Sequence, residues 1–220
     1  MERKISFVEG EFYHLYNRGV DKRTIFSSEA NYRRFMMLLY LANDVETTRV
    51  DNVLKSYTYE EIFSLERGQP LIAIGAFCLM PNHFHILATP LVSGGLSKFM
   101  LKLQTGYAMY FNKQKDRSGA LFQGPFQSTH ADDDVYLRYL FAYIHLNPAK
   151  LRDQKWKENI YSKSLLQFVS EYPFSSMKEY LLENLVVVDS KKFPQYFSSR
   201  NELLKNVTDW FHNGDGDEQT

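Results

Sequence analysis

A chain of 220 residues with 44% apolar residues, 17 Phe and 15 Tyr can fill the core of one sizeable domain with extensions, and is too short for two full domains. Lys plus Arg equals Asp plus Glu at 26 each, so no net charge advertises a polyanionic partner, and any basic patch has to be local and balanced by acidic surface elsewhere. Cys78 is the only cysteine, which excludes a disulfide framework and a cysteine-based zinc site; no window approaches a membrane span and no apolar run follows Met1-Glu2-Arg3-Lys4, so a cytoplasmic protein without a signal peptide is expected.

Residues 11–18 are aromatic and alternating and predict a strand closed by Gly19. The spacing predicts a helix over 29–42, with Ser28 as its N-cap and Tyr32, Phe35, Met36 and Leu39 as its buried stripe. Residues 44–69 form a polar insertion with a short helix near 60–65. A strongly apolar strand follows over 71–79, Pro81-Asn82 makes a turn, and a second strand runs over 83–89. After the Ser93-Gly94-Gly95 loop, Leu96, Phe99, Met100, Leu103, Tyr107 and Tyr110 repeat at helical spacing to about residue 112. A cationic, Gly-containing loop leads to a strand-like piece over 122–129. Asp132 or Asp133 caps the next helix, which Pro148 stops at about residue 146. Beyond residue 150 the pattern weakens: Tyr172-Pro173-Phe174-Ser175-Ser176 reads as a turn into a short helix, residues 200–211 as an amphipathic helix, and residues 214–220 as a disordered tail. The tight hairpin in the middle favours an α+β antiparallel sheet over a parallel stack.

Met80-Pro81-Asn82-His83-Phe84-His85-Ile86-Leu87 carries the clearest chemical signal. On a strand, residues two apart share a face, so His83 and His85 point the same way and offer half of a divalent-metal site. A His-x-His-x-His nucleotide-binding triad is excluded because position 87 is Leu87, and a two-motif phosphoesterase because no His-x-Thr or His-x-Ser occurs.

Tyr143-Ile144-His145-Leu146-Asn147-Pro148 is the second signal. Tyr143 and Asn147 are one helical turn apart, so a carbonyl ligand for a hard cation would stand beside a tyrosine hydroxyl, an arrangement suited to covalent phosphoryl transfer. Periodicity alone gives a plainer reading: Tyr136, Tyr139, Leu140 and Tyr143 share a stripe, which makes Tyr143 a packing residue and Asn147 a helix-end cap. Tyr107 and Tyr110 read as packing, His145 points away from the Tyr143 face, and His14 has no fixed side. Tyr16, Arg18, Arg23, Lys102, Lys113, Lys115, Arg117 and Phe126 are candidate nucleic-acid contacts, the cations for phosphates and the rings for stacking, although a charge run is usually just a solvated face.

Taken in order, Tyr13-His14-Leu15-Tyr16-Asn17-Arg18-Gly19, Met80-Pro81-Asn82-His83-Phe84-His85, Tyr143-Ile144-His145-Leu146-Asn147-Pro148 and Tyr172-Pro173-Phe174-Ser175-Ser176 with Tyr180 resemble the single-tyrosine HUH transposases, above all their REP-associated branch. The resemblance implies a ferredoxin- or RRM-like central antiparallel sheet with helices packed on one side. It implies a transposase domain over 1–180 and a helical extension over 181–220. It also implies Mg²⁺ or Mn²⁺ held by His83, His85 and Asn147, attack by Tyr143 to give a 5′-phosphotyrosine, and a single-stranded DNA partner bearing a hairpin. The working unit is a monomer or a homodimer, and no membrane is involved. Two other classes fit the same residues: a catalytically silent, domesticated nucleic-acid-binding protein, and a globular domain merely stabilised by a metal.

Overall fold

The computed structural model describes residues 7–47, 50–158, 162–197 and 199–213; the expected tail at 214–220 lies outside the described residues. Among the described residues four strands, β1 (Phe12–Arg18), β2 (Ile72–Met80), β3 (His83–Pro90) and β4 (Gln127–Ala131), form one antiparallel sheet in the order β2-β3-β1-β4. The helices are α1 (Glu29–Leu41), α2 (Val50–Val53), α3 (Tyr59–Ile62), α4 (Gly95–Gln114), α5 (Asp134–Leu146), α6 (Lys163–Glu171), α7 (Met177–Leu181) and α8 (Arg200–Asn213). This is the α+β architecture that the sequence predicts. None of these helices is long and apolar enough to cross a membrane.

The helices do not lie on one side. Leu15, Phe77, Phe84 and Ile86 pack with α1 and α4 in one buried cluster, whereas Ala76, Cys78, Met80 and Leu87 pack with Leu137, Leu140, Phe141 and Ile144 of α5 in another. The physical reason is visible in β2: all nine of its residues are buried, as an apolar run without alternation requires when both faces of a sheet are covered. A bulge between Ile74 and Ala76 switches the parity of the strand, so that Ile72, Ile74, Phe77 and Leu79 all reach the α1/α4 side. Gly75 lies in this bulge because a Cβ there would stand 2.7 Å from the Phe193 ring.

The outer edge of β2 is covered rather than open. Leu79 donates its N–H to the Phe174 carbonyl (2.9 Å), Ser176 donates to Phe77 (3.0 Å), and Asp189 donates to Ile74 (2.9 Å). The hydroxyls of Tyr172 and Tyr180 donate to the carbonyls of Leu79 and Gly75, each at 2.7 Å. The Tyr-Pro-Phe-Ser-Ser stretch is thus a strap along an edge strand that would otherwise present bare backbone groups.

The polar insertion at 44–69 covers the outer side of α1, which explains why that helix is buried well beyond its predicted stripe, from Arg34 to Leu41. It carries α2, which the sequence did not signal, and α3, whose Thr58 and Glu61 form a capping box. Its ends are clamped: the Asp44 carboxylate accepts from the N–H groups of Gly68 (2.6 Å) and Glu46 (2.8 Å), and Tyr40 donates to the Leu65 carbonyl (2.7 Å).

α5 forms where the sequence places it. The Asp133 side chain accepts from Tyr136 N–H (2.7 Å) as an N-cap, and Pro148, which has no N–H to continue the ladder, turns the chain into a short 3₁₀ segment over Asn147–Leu151. Its Tyr143 face lies against the sheet face that carries the histidines.

Candidate active site

β3 sends Phe84 and Ile86 into the α1/α4 core and His83 and His85 to the face beneath α5, as alternation requires. The two imidazoles stand 5.0 Å apart, ring centre to ring centre, at 84°. Tyr143 descends from α5 with its ring 5.3 Å from His85, edge-on at 79°. Asn147, at the end of the same helix, is buried beside them. The structure therefore brings together the four residues that the sequence singled out from two distant motifs.

The orientation of each donor is fixed by a hydrogen bond. His83 Nδ1 lies 2.6 Å from Asn82 Oδ1, and Asn82 is itself oriented by donating Nδ2 to the Lys22 carbonyl at 3.3 Å. Since that carboxamide oxygen can only accept, His83 carries its proton on Nδ1 and leaves Nε2 with a lone pair. Asn147 donates Nδ2 to the Tyr143 carbonyl at 3.0 Å, while its Oδ1 is buried without a hydrogen-bond partner among the described residues. His85 Nε2 is buried and unpartnered in the same way. Orphaned buried polar atoms are uncommon, and two of them in one site suit a cation whose ligands are imidazole nitrogen and carbonyl oxygen. Among the described residues no three His, Cys, Asp or Glu side chains cluster to hold a metal.

The imidazoles are neutral near pH 7. Burial pushes His83 down to about 4, helped by the Lys150 and Arg18 charges and opposed by its contact with the Asn147 side chain. Burial, followed by the neighbouring His14 and His83, holds His85 well below the usual histidine range. Neutral imidazole is the form that ligates a metal.

Three neighbours escaped the sequence reading. His14 of β1 lies under Tyr143, ring centres 6.0 Å apart, and beside His85. Asn82, quoted in the motif, had no role attached. Lys150, three residues past Asn147 in the 3₁₀ segment, places its ammonium 5.1 Å from the centre of the Tyr143 ring; a cation so close behind the Tyr…Asn-Pro motif was the available signal.

The candidate DNA contacts scatter. Tyr16 stacks on His14 at 5.0 Å and 30°, and Arg18 pairs across the sheet with His83. Both adjoin the site. Arg18 Nε donates to Gln123, and Arg23 to the Val20 carbonyl (3.1 Å). Lys102, Lys113, Lys115 and Arg117 lie on or just after α4, which packs on the other face of the sheet. Lys102 binds the carbonyls of Asp44 and Glu46, and Arg117 binds Asn112 and the Ala120 carbonyl. Phe126 packs on the α1/α4 core. The rival tyrosines are occupied elsewhere: Tyr107 is fully buried with its hydroxyl on the Ile25 carbonyl, and Tyr110 accepts from Gln114 (3.2 Å). His145 points away from Tyr143, to Ser176 Oγ at 2.8 Å.

The fold has counterparts among known proteins. The family model described as IS200-like transposase matches residues 30–147, over half of the chain. The structure of the REP-associated tyrosine transposase bound to a REP hairpin superposes with a TM-score of 0.51 at 13% identity, covering 90% of this chain and 96% of that one, which establishes a shared fold. A candidate transposase from Deinococcus radiodurans R1 aligns over 72% of this chain and 97% of its own at 17% identity, with a TM-score of 0.32, too low to carry any argument. No curated protein matches the chain.

Proposed function

The chain belongs to the IS200-like transposases, and from that premise we propose that it nicks and rejoins single-stranded, hairpin-bearing DNA through Tyr143, with Mg²⁺ or Mn²⁺ held by His83, His85 and Asn147. The observation that carries this reading is the convergence of Tyr143 with two buried polar atoms, His85 Nε2 and Asn147 Oδ1, that have no hydrogen-bond partner among the described residues. Hairpin DNA is the partner of the superposable REP-associated transposase, and the same partner is proposed here.

A divalent ion in this site would polarise the scissile phosphodiester and offset the negative charge that develops on it. Tyr143 supplies the nucleophile: its phenolic oxygen bonds to phosphorus, the bond to the 3′-oxygen breaks, and that oxygen leaves as a 3′-OH on taking up a proton while the phenol loses one. The 5′-phosphotyrosine keeps the energy of the phosphodiester, so attack by another 3′-OH reseals the strand and regenerates the tyrosine. Lys150, whose ammonium stands over the Tyr143 ring, adds positive charge beside the nucleophile. Arg18, exposed at the His83 end, contacts backbone phosphate, and Tyr16 offers a stacking surface.

The test is a labelled single-stranded hairpin oligonucleotide incubated with protein in Mg²⁺, Mn²⁺ or EDTA and run on a denaturing gel. A metal-dependent shifted band that Tyr143→Phe abolishes, with DNA binding retained, is the expected result. Tight binding without any covalent band across a panel of hairpins would replace this proposal with a binding-only protein.

A further inference from the structure

His14 is buried on β1, next to the strand that carries His83 and His85. The β1–β3 register pairs His85 with Tyr16 and Leu87 with His14, so His14 is the diagonal neighbour of His85 on the same face. Its Nε2 lies 2.9 Å from His85 Nδ1, with the rings 5.0 Å apart and 23° from parallel. Only one of the two nitrogens carries the proton of that hydrogen bond.

The far edge of the His85 ring decides which. His85 Nε2 is buried and has no partner among the described residues. A proton on it would create an orphaned buried donor, and unmet N–H groups are rarer in folded proteins than unmet acceptors. The proton therefore sits on His85 Nδ1 and is donated to His14 Nε2. His83 is arranged in parallel, with Nδ1 held by Asn82. Both rings of the pair are thus gripped at Nδ1, one by an amide and the other by a third histidine.

We propose that His14 is a positioning residue for His85: by accepting the Nδ1 proton it locks the tautomer in which Nε2 presents a bare lone pair to a divalent cation. The consequence for metal affinity rests on His85 being a ligand, as proposed above; the tautomer itself does not. A hydrogen-bonded partner behind a ligating imidazole fixes its tautomer and its orientation and raises its basicity.

Two measurements on the full chain test this. In metal-free protein, ¹⁵N shifts of the His85 ring report its tautomer, and titration of Mn²⁺ followed by EPR reports affinity without any DNA reaction. The wild type is expected to show His85 protonated on Nδ1. His14→Phe keeps a ring for Tyr16 to stack on but offers no acceptor; it is expected to shift His85 to a mixture and to weaken Mn²⁺ binding by about 10- to 100-fold. His14→Gln, whose Oε1 can accept where Nε2 did, is expected to restore both. A wild-type His85 protonated on Nε2 would overturn the proposal, and so would a His14→Phe protein with unchanged tautomer and unchanged affinity. If His14→Phe does not fold, the wild-type spectrum and His14→Gln decide the matter alone. Should the tautomer respond as expected while wild type binds no Mn²⁺, the metal leaves the proposed function and the control of His85 by His14 stands.

Discussion

Asn147 donates its side-chain N–H to the main-chain carbonyl of Tyr143, one turn earlier on the same helix. The proposed nucleophile thereby sets the rotation of the proposed ligand, because the carbonyl can only accept and so turns Oδ1, not Nδ2, into the site. A cap of this kind is common at helix ends; here it leaves a buried oxygen with nothing to bind.

Asn147→Ala removes that oxygen, and Mn²⁺ affinity is expected to fall by about tenfold or more, read by calorimetric titration. Asn147→Gln keeps a carboxamide and is expected to retain most of the affinity. Equal binding by the wild type and the Ala variant would take Asn147 out of the ligand set.

Lys150→Ala should leave metal affinity close to the wild-type value and slow formation of the covalent DNA adduct by about 10- to 100-fold, the range for losing one charge-assisted contact. Lys150→Arg should recover part of the rate. Quenched time courses on the denaturing gel separate the two variants; a Lys150→Ala rate within twofold of wild type would remove Lys150 from the reaction.

Acid should destabilise the fold partly through His145. Burial lowers this imidazole from 6.5 to about 3, so it stays neutral in the folded protein and binds a proton more readily when unfolded. Its stabilising effect is complete above pH 6.5 and is lost as the pH falls toward 3, with a slope of at most about 1.4 kcal/mol per pH unit. Melting temperature against pH should therefore fall less steeply below pH 6 in His145→Gln than in the wild type. Parallel curves would place the acid sensitivity elsewhere.

Ser176 joins the strap to the sheet. Its hydroxyl accepts from Phe77 N–H (2.8 Å), reaches the Phe77 carbonyl (3.2 Å) and bonds to His145 (2.8 Å), all buried. Ser176→Ala leaves the Phe77 N–H and the His145 ring nitrogen unmet and should cost about 1–3 kcal/mol in urea unfolding. A loss under about 0.5 kcal/mol would mean that the strap adapts around the gap.

Gly75→Ala should be destabilising by about 1–3 kcal/mol, because the new Cβ meets the Phe193 ring at 2.7 Å. Combining it with Phe193→Leu should cost less than the two changes summed. Additive losses would show that ring and bulge do not share that space.

Much of this was legible in the chain. Period-two alternation placed His83 and His85 on one face, and the 3.6-residue period with Asp133 and Pro148 bounded α5 to within a residue or so. Proximity of the two motifs was carried by the resemblance, since spacing within either one says nothing about distance between them. The side of His14 could not be read, because the parity of one strand relative to another depends on a register set by the whole sheet. The two-sided burial of β2 was readable in its unbroken apolar run, but the expectation of helices on one side passed over it. The strap left no periodic trace, for its contacts are single hydrogen bonds between distant backbone groups.

The strap also separates the family-defining stretch from the smallest piece that can stand alone. The match ends at residue 147, yet the groups that quench β2 come from Phe174, Ser176 and Asp189. A chain cut after residue 147 would keep every proposed ligand and the nucleophile while exposing a nine-residue apolar strand with unpaired amides, a template for cross-β growth between copies. Shortening this enzyme for use as a compact tool therefore runs into aggregation before it runs out of chemistry.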